Sequence, residues 1–153
     1  MGAAHAQGVL HRDIKPENLI IEAVGNAKLM DFGIARPIER MTPGETQAGW
    51  VVGTPMYMAP EVLQGRDADV RGDIYAVGIL LYEIFTGKPP FSGSTPIEVM
   101  LKQIKDEPPA PIGPHGALDP ALEAAILRCL KKDPAERFSS VDGLARVLEG
   151  LTA

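Results

Sequence analysis

Hydrophobic residues recur along this chain at two different periods, and the change of period divides it. From Ala59 onward the apolar positions fall three and four residues apart between recognisable helix signals. Pro60 opens a short helix through Leu63. Asp73 precedes the apolar run Ile74 to Phe85, which predicts a helix capped by Asp73 and ended by Gly87. Apolar side chains surround that run on nearly every face, so it belongs in the middle of the domain. Thr95-Pro96-Ile97-Glu98 has the form of a capping box with proline at the first helical position, followed by apolar residues to Ile104. Asp119-Pro120 repeats the cap-then-proline signal. Leu122, Ile126, Cys129 and Leu130 then share one stripe before Pro134, which makes Cys129 a core residue. Ser140 caps a last helix, with Val141, Leu144, Val147 and Leu148 inward and Gly150 after its end.

The N-terminal part reads differently. Gly2 to Gln7 are small and helix-compatible and stop at Gly8, as the last turns of a helix would. Leu19 to Glu22 and Ala27 to Met30 are short β-type runs flanking Ala23-Val24-Gly25-Asn26, which predicts an antiparallel hairpin. No other segment reads as strand. The expected fold is therefore mostly α with one small β-hairpin.

Composition narrows the class. The 153 residues are 45% hydrophobic, enough for one core and short for two domains. A net charge of −5, with Lys131 and Lys132 the only adjacent basic pair, argues against a nucleic-acid partner. Cys129 is the sole cysteine, which excludes an internal disulfide and fits a reducing, cytoplasmic setting. Met1 to Leu10 has no basic region followed by an apolar run and so does not read as a signal peptide. Ile74 to Phe85 is too short for a membrane span, being well under the roughly 20 residues a bilayer needs.

The segment His11-Arg12-Asp13-Ile14-Lys15-Pro16-Glu17-Asn18 resembles the catalytic loop of protein kinases. Its six fixed letters would arise by chance on the order of 10⁻⁸ times per starting position. Asp31-Phe32-Gly33 and Ala59-Pro60-Glu61 match the family's next two motifs in order and spacing. The resemblance is to the C-terminal lobe alone, a partial kinase domain over 1–153 with its catalytic loop at 11–18 and its activation segment at 31–61. It implies a Ser/Thr protein kinase using ATP and Mg²⁺ on protein substrates.

The hairpin gives the spacing a physical meaning. Asn18 stands just before its first strand and Asp31 just after its second, so antiparallel pairing returns both to one end. An amide and a carboxylate there, with water and phosphate oxygens, suit Mg²⁺, although on an arbitrary hairpin the same two residues would simply cap it. Resemblance then assigns the roles. Asp13 corresponds to the catalytic base, Lys15 to the lysine that neutralises the γ-phosphate, and Ile20 to the floor of the adenine pocket. Gly53-Thr54 resembles the loop beneath the acceptor residue, with Thr54 bonding Asp13 and Lys15. Lys15 and Thr54 both indicate Ser/Thr rather than Tyr acceptors.

Thr46, and after it Thr42, are candidate phosphorylation sites in a segment rich in turn formers, with Arg12 the arginine that would receive the phosphate. Glu61 and Arg137 resemble the family's buried ion pair, Asp73 the aspartate that holds the catalytic loop's backbone, and His11 and Phe32 the lower half of its hydrophobic spine. Ile34-Ala35-Arg36, Asp73-Ile74-Tyr75-Ala76-Val77-Gly78 and Glu107-Pro108-Pro109 resemble bacterial kinases of the eukaryotic type.

No G-x-G-x-x-G and no V-A-I-K-like lysine occurs in the sequence. The chain thus resembles an internal piece of a kinase without its ATP-gripping N-lobe, and is expected to be inert alone. An exposed interface for that lobe or another partner is implied. The alternative is a non-catalytic C-lobe serving as a protein-binding module.

Overall fold

The computed structural model describes residues 1–23, 26–31 and 55–151. In chain order these form α1 (Gly2–Ala6), β1 (Leu19–Ile21), β2 (Ala27–Leu29), α2 (Pro60–Leu63), α3 (Val70–Thr86), α4 (Pro96–Lys105), β3 (Ile112–Gly113), β4 (Gly116–Ala117), α5 (Pro120–Cys129) and α6 (Val141–Gly150). Short 3₁₀ turns lie at Pro16–Asn18, Pro55–Tyr57 and Pro134–Glu136. No helix among the described residues is long and apolar enough to cross a membrane.

Helix α3 is the axis of the core, because its faces serve separate clusters. Tyr75, Ile79 and Tyr82 pack with Ala59, Phe91, Ile126 and Leu130. Ile74 packs with Ala125, Cys129, Phe138 and Leu144. Ala76 and Leu80 pack with Ile14, and Met1, Leu19 and Leu29 close over them. Burying one such side chain fully stabilises by about 1.5–3 kcal/mol, so these contacts dominate the fold's cohesion. Gly78 permits the closest approach. A Cβ there would lie 2.5 Å from the Cys129 Cβ, so α3 and α5 could not pack this tightly with any larger residue. The predicted all-round burial fails only at the C-terminal end of α3, where Ile84 is 55% exposed.

Local sequence explains most helix ends. The Thr95 hydroxyl accepts from Glu98 N, Asp119 from Ala121 N and Leu122 N, and Ser140 from Gly143 N. The Glu98 carboxylate reaches Ser94 N and Oγ rather than the N-cap residue, and with Lys102 beside it its pKa falls to about 2. Gly8 and Gly87 follow α1 and α3 with φ of +73° and +79°, the left-handed region that glycine enters freely.

Four expectations need correction. Asp69, not Asp73, caps α3, its carboxylate accepting from Arg71 N, and the helix starts at Val70. Val147 is not inward. At about 100° per residue it lies roughly 60° past Leu144, off the stripe shared by Val141, Leu144 and Leu148. Gly150 is the last helical residue of α6, and Leu151 is the cap. Finally, Ile112–Gly113 and Gly116–Ala117 form a second antiparallel ladder around Pro114-His115. Strands of two residues contain no alternation to detect.

The predicted hairpin is present, paired Leu19 with Leu29, Ile20 with Lys28 and Ile21 with Ala27. The central turn residues Val24 and Gly25 lie outside the described residues.

Candidate active site

The loop between α1 and β1 runs over α3, and one carboxylate holds it there. Asp73 Oδ2 accepts from His11 N at 2.7 Å and Oδ1 from Arg12 N at 2.9 Å. His5 Nε2, on α1, donates to the same Oδ2 at 2.8 Å. Asp73 thus sits inside the first turn of α3 but faces outward to the loop, which is why the cap falls to Asp69. Arg12 has φ of +63°, a conformation that costs a non-glycine residue about 1–2 kcal/mol. The two charge-assisted hydrogen bonds from His11 N and Arg12 N to Asp73 offset the strain.

The next residue is Asp13. Asn18 Nδ2 donates to Asp13 O at 2.7 Å and to Asp13 Oδ2 at 3.0 Å, and Lys15 Nζ lies 3.1 Å from the same Oδ2. The carboxylate is steered from two sides yet remains accessible, with the Asp13 side chain 45% exposed. With Nδ2 committed to Asp13, the Asn18 amide oxygen is the atom left to reach a cation.

The hairpin then returns to this loop. Met30 N donates to Asn18 O at 2.7 Å, and His11 Nε2 donates to Met30 O at 2.9 Å. Asp13 N donates to His11 Nδ1 at 3.3 Å, so the Nε2–H tautomer of His11 satisfies both bonds. His11 is fully buried and links the loop to the end of the hairpin. Asp31, the next residue, is exposed and has φ of +52°. Its left-handed backbone turns the chain immediately after the residue bonded to Asn18.

An amide oxygen at 18 and an exposed carboxylate at 31 are hard oxygen donors, the kind Mg²⁺ accepts while keeping waters and phosphate oxygens for its remaining positions. The donor set therefore fits that ion. Ile20 lies on β1 with its side chain half exposed. Phe32, Gly33, Thr42, Thr46, Gly53 and Thr54 lie outside the described residues.

Away from the loop, Glu61 and Arg137 meet in a bidentate pair at 2.8 Å for both bonds. Arg137 also donates to the carbonyls of Lys131, Lys132 and Arg71, so all five guanidinium N–H groups have partners. Its guanidinium lies 4.9 Å from the Tyr75 ring centroid. Both charged residues are buried.

Sequence reading passed over His5, Gln103 and Lys132. His5 pairs with a residue 68 positions away, and its Nδ1 is buried without a hydrogen-bond partner among the described residues. Gln103 had a signal: it interrupts the apolar stripe of α4 one turn after Val99, and it is completely buried. Lys132 donates to Gln103 O, lies 4.3 Å from the Phe91 ring centroid, and burial lowers its pKa to about 8.

Comparison with known proteins agrees with this geometry. The family model described as protein kinase domain matches residues 1–148. A probable serine/threonine-protein kinase, CE0033 of Corynebacterium efficiens, is 40% identical over 156 residues, covering 98% of this chain and 23% of that protein. The serine/threonine-protein kinase PknB of Mycobacterium tuberculosis is 40% identical over 137 residues, covering 90% of this chain and 22% of the relative. PknB of Mycobacterium leprae is 41% identical with the same coverage. The chain thus spans under a quarter of the length of these curated relatives. Motif order, the Asp73-held loop and the match over nearly all its residues together establish that the chain belongs to the protein kinase family, among bacterial kinases of the eukaryotic, serine/threonine type.

Proposed function

We propose that residues 1–153 are the catalytic-loop half of a Ser/Thr protein kinase that transfers the ATP γ-phosphate to protein hydroxyls. The observation that carries this reading is the Asp13–Asn18–Lys15 cluster tied to the hairpin end, because phosphoryl transfer is mainly positioning and charge neutralisation. Asp13 would accept a proton from the acceptor hydroxyl at its exposed oxygen, while Asn18 orients its carboxylate. Lys15 would offset negative charge on the transferring phosphate. Asn18 and Asp31 would hold Mg²⁺, which when bound neutralises the phosphate oxygens of ATP. Thr54 would orient the acceptor beside Asp13. Phosphorylation of Thr46, or of Thr42, would place a phosphate for Arg12 to bind.

Nucleotide grip must come from elsewhere, since these residues carry no glycine-rich phosphate loop. Val9, Ile20, Ile21 and Met30 are all close to half exposed or more, and a groove of about 400 Å³ lined by Pro16, Leu19, Ile21, Leu80, Glu83 and Ile84 lies beside the hairpin. Such an apolar face is suited to a covering polypeptide, and an ATP-gripping lobe is the partner this reading assigns to it. The 153 residues alone should bind Mg-ATP in the millimolar range or not at all, read by calorimetry.

The test is phosphate transfer by the protein expressed from its native gene, with radiolabelled Mg-ATP and a generic protein substrate. Incorporation at Ser and Thr, abolished by Asp13→Asn and by Asp31→Asn, is the expected result. Incorporation that survives both substitutions would overturn the assignment.

A further inference from the structure

Helix α4 carries one polar side chain with no exposure, Gln103. Burying an amide without partners is unfavourable, so its bonds indicate what keeps it there. Gln103 Oε1 accepts from the Tyr75 hydroxyl on α3. Its Nε2 donates to the main-chain oxygens of Met56 and, at 3.3 Å, Pro55. Two carbonyls can only accept, so the orientation of the amide follows from its partners. Gln103 O accepts from Lys132 Nζ at 2.7 Å, which ties the same residue to the chain after α5.

A residue needed only to fill space between α4 and α3 would be apolar, like Val99 one turn earlier. Gln103 instead grips the backbone of the 3₁₀ turn Pro55–Tyr57 from above, while Tyr75 fixes the amide from behind. Pro55 follows Thr54 by one peptide bond, and Pro55 has no N–H with which to anchor itself. Gln103 holds two carbonyls of this stretch, while the Tyr57 hydroxyl anchors its far end by donating to Glu83 at 2.6 Å.

We propose that Gln103 is a positioning residue for protein-substrate binding, setting the main chain at Pro55–Met56, which follows the Gly53-Thr54 acceptor loop in sequence. This rests on the kinase reading given above. It makes α4 part of substrate recognition through a buried amide rather than through its outer surface.

Two measurements test it, each made with Gln103→Met, which keeps length but removes every side-chain hydrogen bond, and with Val99→Ala as a packing control on the same face. The first is amide hydrogen exchange on the 153-residue chain. Met58 N–H, which donates to Pro55 O within the turn, should exchange about tenfold faster in Gln103→Met and not in Val99→Ala. The second is steady-state kinetics of the native-gene protein. Gln103→Met should raise KM for the protein substrate about tenfold, with kcat and KM for ATP within about twofold of wild type. Tyr75→Phe, which frees only one end of the amide, should move both readouts in the same direction by about threefold, and carries the test if Gln103→Met does not fold.

Unchanged exchange at Met58 would overturn the inference, as would an active wild type whose protein-substrate KM is unmoved by Gln103→Met or moves equally in Val99→Ala. A wild type that transfers no phosphate would instead overturn the kinase reading, and the substrate-positioning role with it.

Discussion

The helical body from Pro60 to Leu151 and the loop-and-hairpin region from Val9 to Asp31 treat charge in opposite ways. In the body, Glu61 and Arg137 are buried and every Arg137 N–H is consumed by protein acceptors. In the loop region, the Asp13 and Lys15 side chains stay 45% and 24% exposed, with their charges 3.1 Å apart. A fully satisfied buried pair fixes shape and has no capacity for a further partner. An exposed pair contributes little to stability but leaves its oxygen and ammonium open to a substrate. Asp73 joins the two regions, being buried in α3 yet bonded to loop backbone.

The comparison breaks most visibly at the buried pair. Arg137→Ala should destabilise the chain by about 3–5 kcal/mol, because it strands the Glu61 carboxylate in the interior. Urea denaturation followed by circular dichroism measures this, and a loss under about 1 kcal/mol would remove the contrast. Asp73→Ala should come next, at about 3 kcal/mol, since it leaves the buried His11 N–H and the part-buried Arg12 N–H without their acceptor. Exchange at His11 and Arg12 should rise in that variant before global unfolding does.

Lys132 sharpens the comparison through pH. Its folded pKa of about 8 lies below the ordinary 10.5, so the folded state releases this proton first. Between pH 8 and 10.5 the unfolded chain binds more protons at this site, and stability should rise with pH through that window. Lys132 is only partly buried, so the rise is on the order of 1 kcal/mol after allowance for solvent screening. Cys129, pushed up to about 12 by burial, opposes it above pH 9 in every variant. Wild type should therefore gain stability relative to Lys132→Met as pH rises from 8 to 10.5, and a difference that stays constant would contradict the assignment. The smallest stability effect is expected at the site itself: Asp13→Asn should change folding by within about 0.5 kcal/mol while abolishing transfer.

What could be read from sequence follows the range of the interactions. Thr95, Asp119 and Ser140 cap their helices through bonds two or three residues long, and the sequence displays both partners together. Asn18 reaches Asp13 across five residues, and a hairpin pairing brings Met30 to Asn18, so the core of the candidate site was also legible. The sequence predicts Asp73 as the cap of α3, although residue type alone does not separate it from Asp69. The choice is made by His11 and Arg12, more than 60 positions away, whose backbone claims Asp73. Gln103 left a trace as the polar break in the stripe of α4, but its role was hidden for the same reason, its partners at Pro55 and Met56 lying 48 and 47 residues upstream. The second ladder, with two residues per strand, is a consequence of the turn at Pro114-His115 rather than of any β-type pattern.

The central claim is that Asn18 and Asp31 present their oxygens to one cation beside Asp13. Paramagnetic broadening by Mn²⁺ with ATP, followed by NMR on the 153-residue chain, tests it at affinities too weak for most methods. Broadening concentrated on the Asn18 side-chain amide and the backbone amides of Asp13 and Asp31, and lost in Asp31→Asn, is the predicted result. Broadening that appears at other acidic surface residues and not at positions 18 and 31 would contradict it.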